Sequence, residues 1–220
     1  MSQPKTGKGR PSPRVARKHE QVRQEILAAA QSLLQGGPEA VTLASVAGEL
    51  GMTKQALYHY YASKEALLRA MVTTLLDVEI ETLIEAVEAV DSGKDTLSTL
   101  IRAFYNHYIN HLDAFRSVYC QSQLYRGPDS PIDEDTIRDE INPRTRHLFD
   151  ILEARIAASS KSKRQREKLR QLAFTAWLSA LGLMTMLGVA EALDDPLIHS
   201  DEDLLSTLSD VFDSAAKGHS

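Results

Sequence analysis

Apolar residues recur along this chain at intervals of three and four, and that spacing predicts helix almost throughout. From about Arg17 to Gln35, the residues Val22, Ile26, Ala29, Ala30 and Leu33 form one stripe, and Gly36-Gly37-Pro38 stops it. Val46, Ala47 and Leu50 mark a short second helix. Thr42 is its expected N-cap, because a hydroxyl before an apolar-periodic run accepts from the free N–H groups of the first turn. Gly51 is expected to end it at positive φ, with Met52 as an apolar plug in the turn. Thr53 caps a third helix in which Leu57, Tyr60 and Tyr61 recur at helical spacing. Ser63 caps a long fourth helix to about Val90, roughly 40 Å at about 1.5 Å per residue. Further helices are expected at about 95–112, 114–125, 133–159, 163–193 and 201–216, punctuated by Gly127-Pro128, Pro131, Pro143 and Asp194-Asp195-Pro196. No strand alternation, internal repeat or heptad run interrupts this pattern. The expected fold class is all-α.

Residues 42–65, TLASVAGELGMTKQALYHYYASKE, are the most informative stretch. Ala47, four before Gly51, is small enough to let two helices cross closely, so the pattern is that of a helix-turn-helix. LYHYYASKEALL, placed just after this turn, resembles the signature of the TetR/AcrR family of bacterial transcriptional regulators. The resemblance is closest over about residues 20–70, where turn glycine, aromatic cluster and Ser-Lys-Glu helix start agree in order and spacing. Beyond that it extends only to length and helical character. It implies an N-terminal three-helix DNA-binding domain followed by a C-terminal helical domain that binds ligand and dimerises.

Charge sharpens the division. The formal net charge of −5 sits poorly with DNA binding until the chain is split. Residues 1–71 hold ten Lys/Arg against five Glu, a net +5, and the remainder holds fifteen against twenty-five, a net −10. The positive charge therefore lies on the segment with the motif, where phosphate neutralisation needs it. The expected domains are a disordered basic arm at 1–16, a DNA-binding domain at 17–62 and a ligand-binding and dimerisation domain at 63–220. The arm, rich in Pro, Gly and Ser, lacks a core's apolar residues; a path along the minor groove or phosphates is its functional alternative. Cys120 is the single cysteine, so no intramolecular disulfide can form. With no apolar run of membrane length and no secretory signal pattern, the chain is expected in the cytoplasm, without a membrane partner.

Candidate DNA-contacting residues are Thr42, Thr53, Lys54, Gln55, Tyr58, His59, Tyr60 and Lys64. Thr53, Lys54 and Gln55 open the second helix of the motif, where Lys and Gln can hydrogen-bond guanine and adenine edges. The resemblance assigns Tyr58 and Tyr60 to backbone phosphates, Lys64 to a phosphate at the start of the fourth helix, and Tyr61 to a buried structural place. A lysine at a helix N-terminus opposes the dipole, so an external anion suits it. Candidate effector-lining residues are Tyr105, Tyr108, Tyr119, Gln123, Tyr125 and Trp177, with Gln121 nearby, because aromatics with isolated polar groups suit an apolar pocket between helices. Ordinary helical core is the competing reading of each.

Other motifs carry less. His107 and His111 have metal-ligand spacing but lack a third ligand, so no metal is expected. The basic run 161–170 reads as a solvated helix start, or as a partner for the acidic stretch 133–140. Residues 169–190 are apolar on nearly every face. With the stripe at Leu204, Leu205, Leu208, Val211 and Phe212, they are expected to meet their two-fold mates in a four-helix dimer interface.

The sequence is therefore read as a ligand-responsive DNA-binding regulator: a homodimer that occupies a palindromic double-stranded operator until an apolar small molecule releases it. No nucleophile elbow, phosphate loop or glycine fingerprint is present, so neither catalysis nor a cofactor is expected. A small helical enzyme with a coincidental motif and a constitutive DNA-binding factor are the alternatives.

Overall fold

In a computed structural model, residues 12–91, 93–121, 132–157, 162–190 and 199–218 are described, and their regular structure is entirely helical. The chain divides into two compact units, Met1–Met71 and Val72–Ser220.

The first unit is built on α1 (Pro13–Leu33), α2 (Leu43–Glu49), α3 (Lys54–Tyr58) and the opening turns of α4 (Lys64–Ala89). Helix α1 starts four residues earlier than expected. Ser12 caps it by accepting from Val15 N–H, and Pro13 fills the first turn, where its missing N–H costs nothing. Residues 13–16, expected in the arm, are therefore helical. Ile26, Leu27, Ala29 and Ala30 from α1, Leu34 just after it, Leu43, Val46 and Ala47 from α2, Leu57 from α3, and Leu67 and Met71 from α4 are all buried. The unit ends at Met71 rather than at 62 because α4 supplies these last two core residues.

The second unit continues α4 and adds α5 (Thr96–Tyr108), α6 (Leu112–Phe115), α7 (Asn142–Ile156), α8 (Lys163–Ala190) and α9 (Asp201–Gly218). Two π-helical stretches interrupt the regular pattern, Arg116–Gln121 directly after α6 and Ile137–Ile141 directly before α7. Helix α5 lies at the centre. Its Leu97, Leu100, Ile101, Phe104 and Tyr108 are all at most 1% exposed, and it packs against both α8 and α9. Arg102 makes a two-pronged ion pair with Glu202, and Tyr105 donates to Asp201 at 2.5 Å, fastening α5 to the start of α9. Gly93 lets the turn before α5 approach α7, since a Cβ there would stand 2.5 Å from the Arg155 carbonyl oxygen.

Two expectations need correction. The α9 stripe is not free for a two-fold mate: Leu205 and Phe212 are buried and Leu204 and Leu208 pack against the same core, leaving Val211 exposed. The apolar face of α5 covers it within one protomer. Nor does Arg170 of the basic run pair with 133–140. It bonds Asp150 and Glu153 of α7 instead, while Arg138 pairs locally with Asp135 and Asp139.

Candidate functional site

In the first unit, hydrogen bonds position the site before any side chain reaches out. Thr42 and Ser45 form a reciprocal cap: the Thr42 hydroxyl accepts from Ser45 N–H at 3.0 Å, and Ser45 Oγ accepts from Thr42 N–H at 2.9 Å. At the other end of α2, Gly51 N–H donates to the Gly48 carbonyl and Met52 N–H to the Ala47 carbonyl. This paired 5→2 and 6→1 closure requires a left-handed residue between them, and Gly51 supplies it at φ +61°. Thr53 then accepts from Ala56 N–H at 3.1 Å and starts α3 within two residues of the turn. Leu57, fully buried, pins that helix to the core beneath it.

The rest of α3 faces solvent. Thr53, Lys54, Gln55, Tyr58 and His59 are exposed, and the Lys54 ammonium lies 5.8 Å from the Tyr58 ring centroid. Tyr60 is half-buried and stacks on His19 of α1, with ring centroids 4.6 Å apart. Tyr61 is buried with the Arg23 guanidinium 4.9 Å above its ring, a packing role. Lys64, at the first position of α4, lies 3.8 Å from the exposed Glu39 carboxylate. At that distance and exposure the pair contributes little, and the ammonium stays available to a stronger anion. Thr42 is half-buried with its hydroxyl engaged in the cap.

In the second unit the structure brings Tyr108, Tyr119 and Trp177 together and leaves Tyr105 of α5 apart, its hydroxyl bonded to Asp201 of α9. Gln123 and Tyr125 lie outside the described residues, and Gln121 is described only in its backbone. The rings of Phe104, Tyr108, Phe115 and Tyr119 lie 5.3–6.4 Å from one another, mostly edge to face, and Trp177 joins at 6.0 Å from Tyr119. Two of these rings share a partner that the sequence alone did not single out. Glu79 of α4 is 2% exposed and accepts from Tyr108 at 2.5 Å and from Tyr119 at 2.7 and 2.8 Å. Burial pushes its carboxyl up to about 7, while the two hydroxyl donors oppose that rise. The same burial, with the carboxylate beside them, raises both phenols far above their ordinary range. Glu79 left one trace in the sequence, an acid within the buried series Val72, Leu76, Ile80, Leu83 and Val87.

His107 is half-buried with its ring edge to face on Tyr108, and burial with nearby His111 lowers its pKa. No group of three or more His, Cys, Asp or Glu among the described residues has metal-binding geometry. Among the described residues, one open groove lies over Thr82, Arg102 and His107 and another over Asp150, Glu153 and Arg166; neither is lined by Tyr105, Tyr108, Tyr119 or Trp177.

A capped pair of helices joined by a left-handed glycine, with the polar first turn of the second exposed, defines a helix-turn-helix DNA-binding protein. Residues 26–71 match the model for bacterial regulatory proteins of the tetR family, so this segment is a TetR-family DNA-binding region. Its fold is similar to that of a TetR/AcrR-family transcriptional regulator from Thermobifida fusca (20% identity, 88% of this chain and 97% of that one, TM-score 0.63). It is also similar to FadR from Bacillus subtilis solved with stearoyl-CoA (17% identity, 88% and 96%, TM-score 0.61). A third likeness is to a TetR variant from Acinetobacter baumannii solved with minocycline (17% identity, 88% and 93%, TM-score 0.55). No curated protein matches the sequence. Among the described residues, no helix is long and apolar enough to cross a membrane.

Proposed function

We propose that this protein is a ligand-responsive repressor: a homodimer that holds a palindromic operator through α3 and leaves it when a largely apolar molecule enters the second unit. The observation that carries the DNA-binding part is the exposure of Thr53, Lys54 and Gln55 on a helix whose backbone is fixed by caps and by buried Leu57. Lys54 and Gln55 read base edges, while Tyr58, Tyr60 and Lys64 take phosphates. Two copies are required, because each α3 spans only one major-groove half-site.

Helix α8 supports the dimer. Phe174, Leu178 and Met186 are 46%, 44% and 62% exposed at four- and eight-residue intervals, with Gly182 between them, and Val211 of α9 is 56% exposed. Such a row needs a cover, and a second copy of the same row supplies it by two-fold symmetry. The aromatic centre supports the effector part, as do the ligands bound by FadR and the TetR variant. By linkage the effector releases DNA only if it binds the DNA-incompetent arrangement more tightly than the competent one.

The test is to select fragments of the source genome on the purified protein. Enrichment of an inverted repeat beside promoters, bound by two copies of the chain, is the expected result. Uniform recovery of all fragments, or a stable monomer at micromolar concentration with DNA present, would overturn the proposal.

A further inference from the structure

The aromatic centre of the second unit holds a buried carboxyl group with no cationic partner among the described residues. Among the described residues, only the Tyr108 and Tyr119 hydroxyls hydrogen-bond Glu79, and no Lys, Arg or His forms an ion pair with it. Neutral donors soften the cost of burying a carboxylate but leave its charge uncompensated. The two buried hydroxyls need an acceptor, which a neutral glutamine would also supply, so their hydrogen bonds alone do not call for an ionisable group within the stripe of Leu76, Ile80 and Leu83. The surroundings are equally specific. Tyr108 and Tyr119, whose hydroxyls hold the carboxylate, pack in turn against the rings of Phe104 and Phe115, with Trp177 against Tyr119, and aromatic faces attract a cation where they exclude water.

Tyr119 rides on the π-helical stretch Arg116–Gln121. Single π-helical turns are costly departures from α-helix and gather at functional sites, so the side chain beside Glu79 is carried by the least regular backbone around it.

From these observations we infer that the effector is a lipophilic cation, an amine or quaternary ammonium-like molecule whose positive charge pairs with Glu79 while its apolar body lies among these rings. The inference rests on the effector reading above and makes it more specific. An apolar cation supplies what the site lacks, whereas a fatty acid or other anion would set a second negative charge beside a buried one. The raised carboxyl pKa has the same origin, and a bound cation would draw it back down.

Tetraphenylphosphonium and tetraphenylborate, of the same size and shape and opposite charge, provide the test on the full-length protein at pH 8. Trp177 is the only tryptophan, and its ring lies 6.0 Å from that of Tyr119, so its fluorescence reports on this site. The cation is expected to change that fluorescence, to raise the thermal midpoint and to bind roughly tenfold or more tighter than the anion. The unit's overall negative charge favours any cation slightly, so the deciding variant is Glu79→Gln. Its amide oxygen still accepts from the tyrosines, it is expected to fold with an equal or higher midpoint, and it should lose the preference. If the anion binds wild type as tightly as the cation and Trp177 answers to both, the effector site stands and its cation selectivity is overturned. If the preference survives Glu79→Gln, Glu79 is not its source and the inference fails. If neither probe alters Trp177, the inference fails together with the choice of the aromatic centre as effector site. The wild-type comparison decides even if the variant does not fold.

Discussion

The two units place their polar chemistry in opposite ways. In the first, the side chains proposed to meet DNA are exposed, and the backbone beneath them is held by caps, a left-handed glycine and one buried leucine. In the second, the exposed polar groups include ordinary surface ion pairs, and the unusual chemistry is a buried acid held by two tyrosine hydroxyls of an aromatic cluster. A DNA surface must be met at first contact, so its recognising groups wait in solvent and rely on a rigid support. A small guest must be desolvated to be distinguished, so its recognising group tolerates burial and an elevated pKa.

That contrast is open to attack at the acid itself. Glu79 titrates near 7 in the fold and near 4.5 when unfolded, so the folded protein holds the proton more tightly. The stability this contributes is fully present below about pH 4.5 and is lost as pH rises through about 7. Urea unfolding of wild type against Glu79→Gln should diverge over that window by about 3 kcal/mol, the wild type losing stability relative to the variant as pH rises. Parallel pH profiles would mean that the carboxyl is not desolvated as the structure indicates.

The glycines at the two turns extend the contrast. Gly93→Ala in the second unit drives a Cβ into the Arg155 carbonyl and should cost about 1–3 kcal/mol by crowding. Gly51→Ala meets open space, so its cost is conformational alone, about 1–2 kcal/mol for a left-handed alanine. Thermal unfolding should show both losses. DNA binding should weaken beyond the stability loss only for Gly51→Ala, because that turn aims α3.

The first unit was largely legible in the sequence because its determinants are local. Thr42, Gly51 and Thr53 each act on atoms within five residues of themselves. The start of α1 escaped because the reading followed the apolar stripe and overlooked the Ser12-Pro13 cap ahead of it. In the second unit, Tyr108 and Trp177 were recognised as notable without their common centre. Tyr108 and Tyr119 reach Glu79 from 29 and 40 residues away, and no helical periodicity carries that information. The end of α9 was misjudged for the same reason, since its stripe fits a neighbouring chain as readily as α5 until the packing is known.

The central claim is that α3 reads sequence while the start of α4 only holds phosphate. Its most direct test is the affinity of wild type, Gln55→Ala, Lys54→Ala and Lys64→Ala for the selected inverted repeat and its single-base variants, across a range of salt. Gln55→Ala and Lys54→Ala should change which bases are preferred. Lys64→Ala should weaken every sequence alike and lower the salt slope by about one per subunit. An altered base preference in Lys64→Ala with an intact salt slope, or unchanged preferences in both α3 variants, would contradict the account.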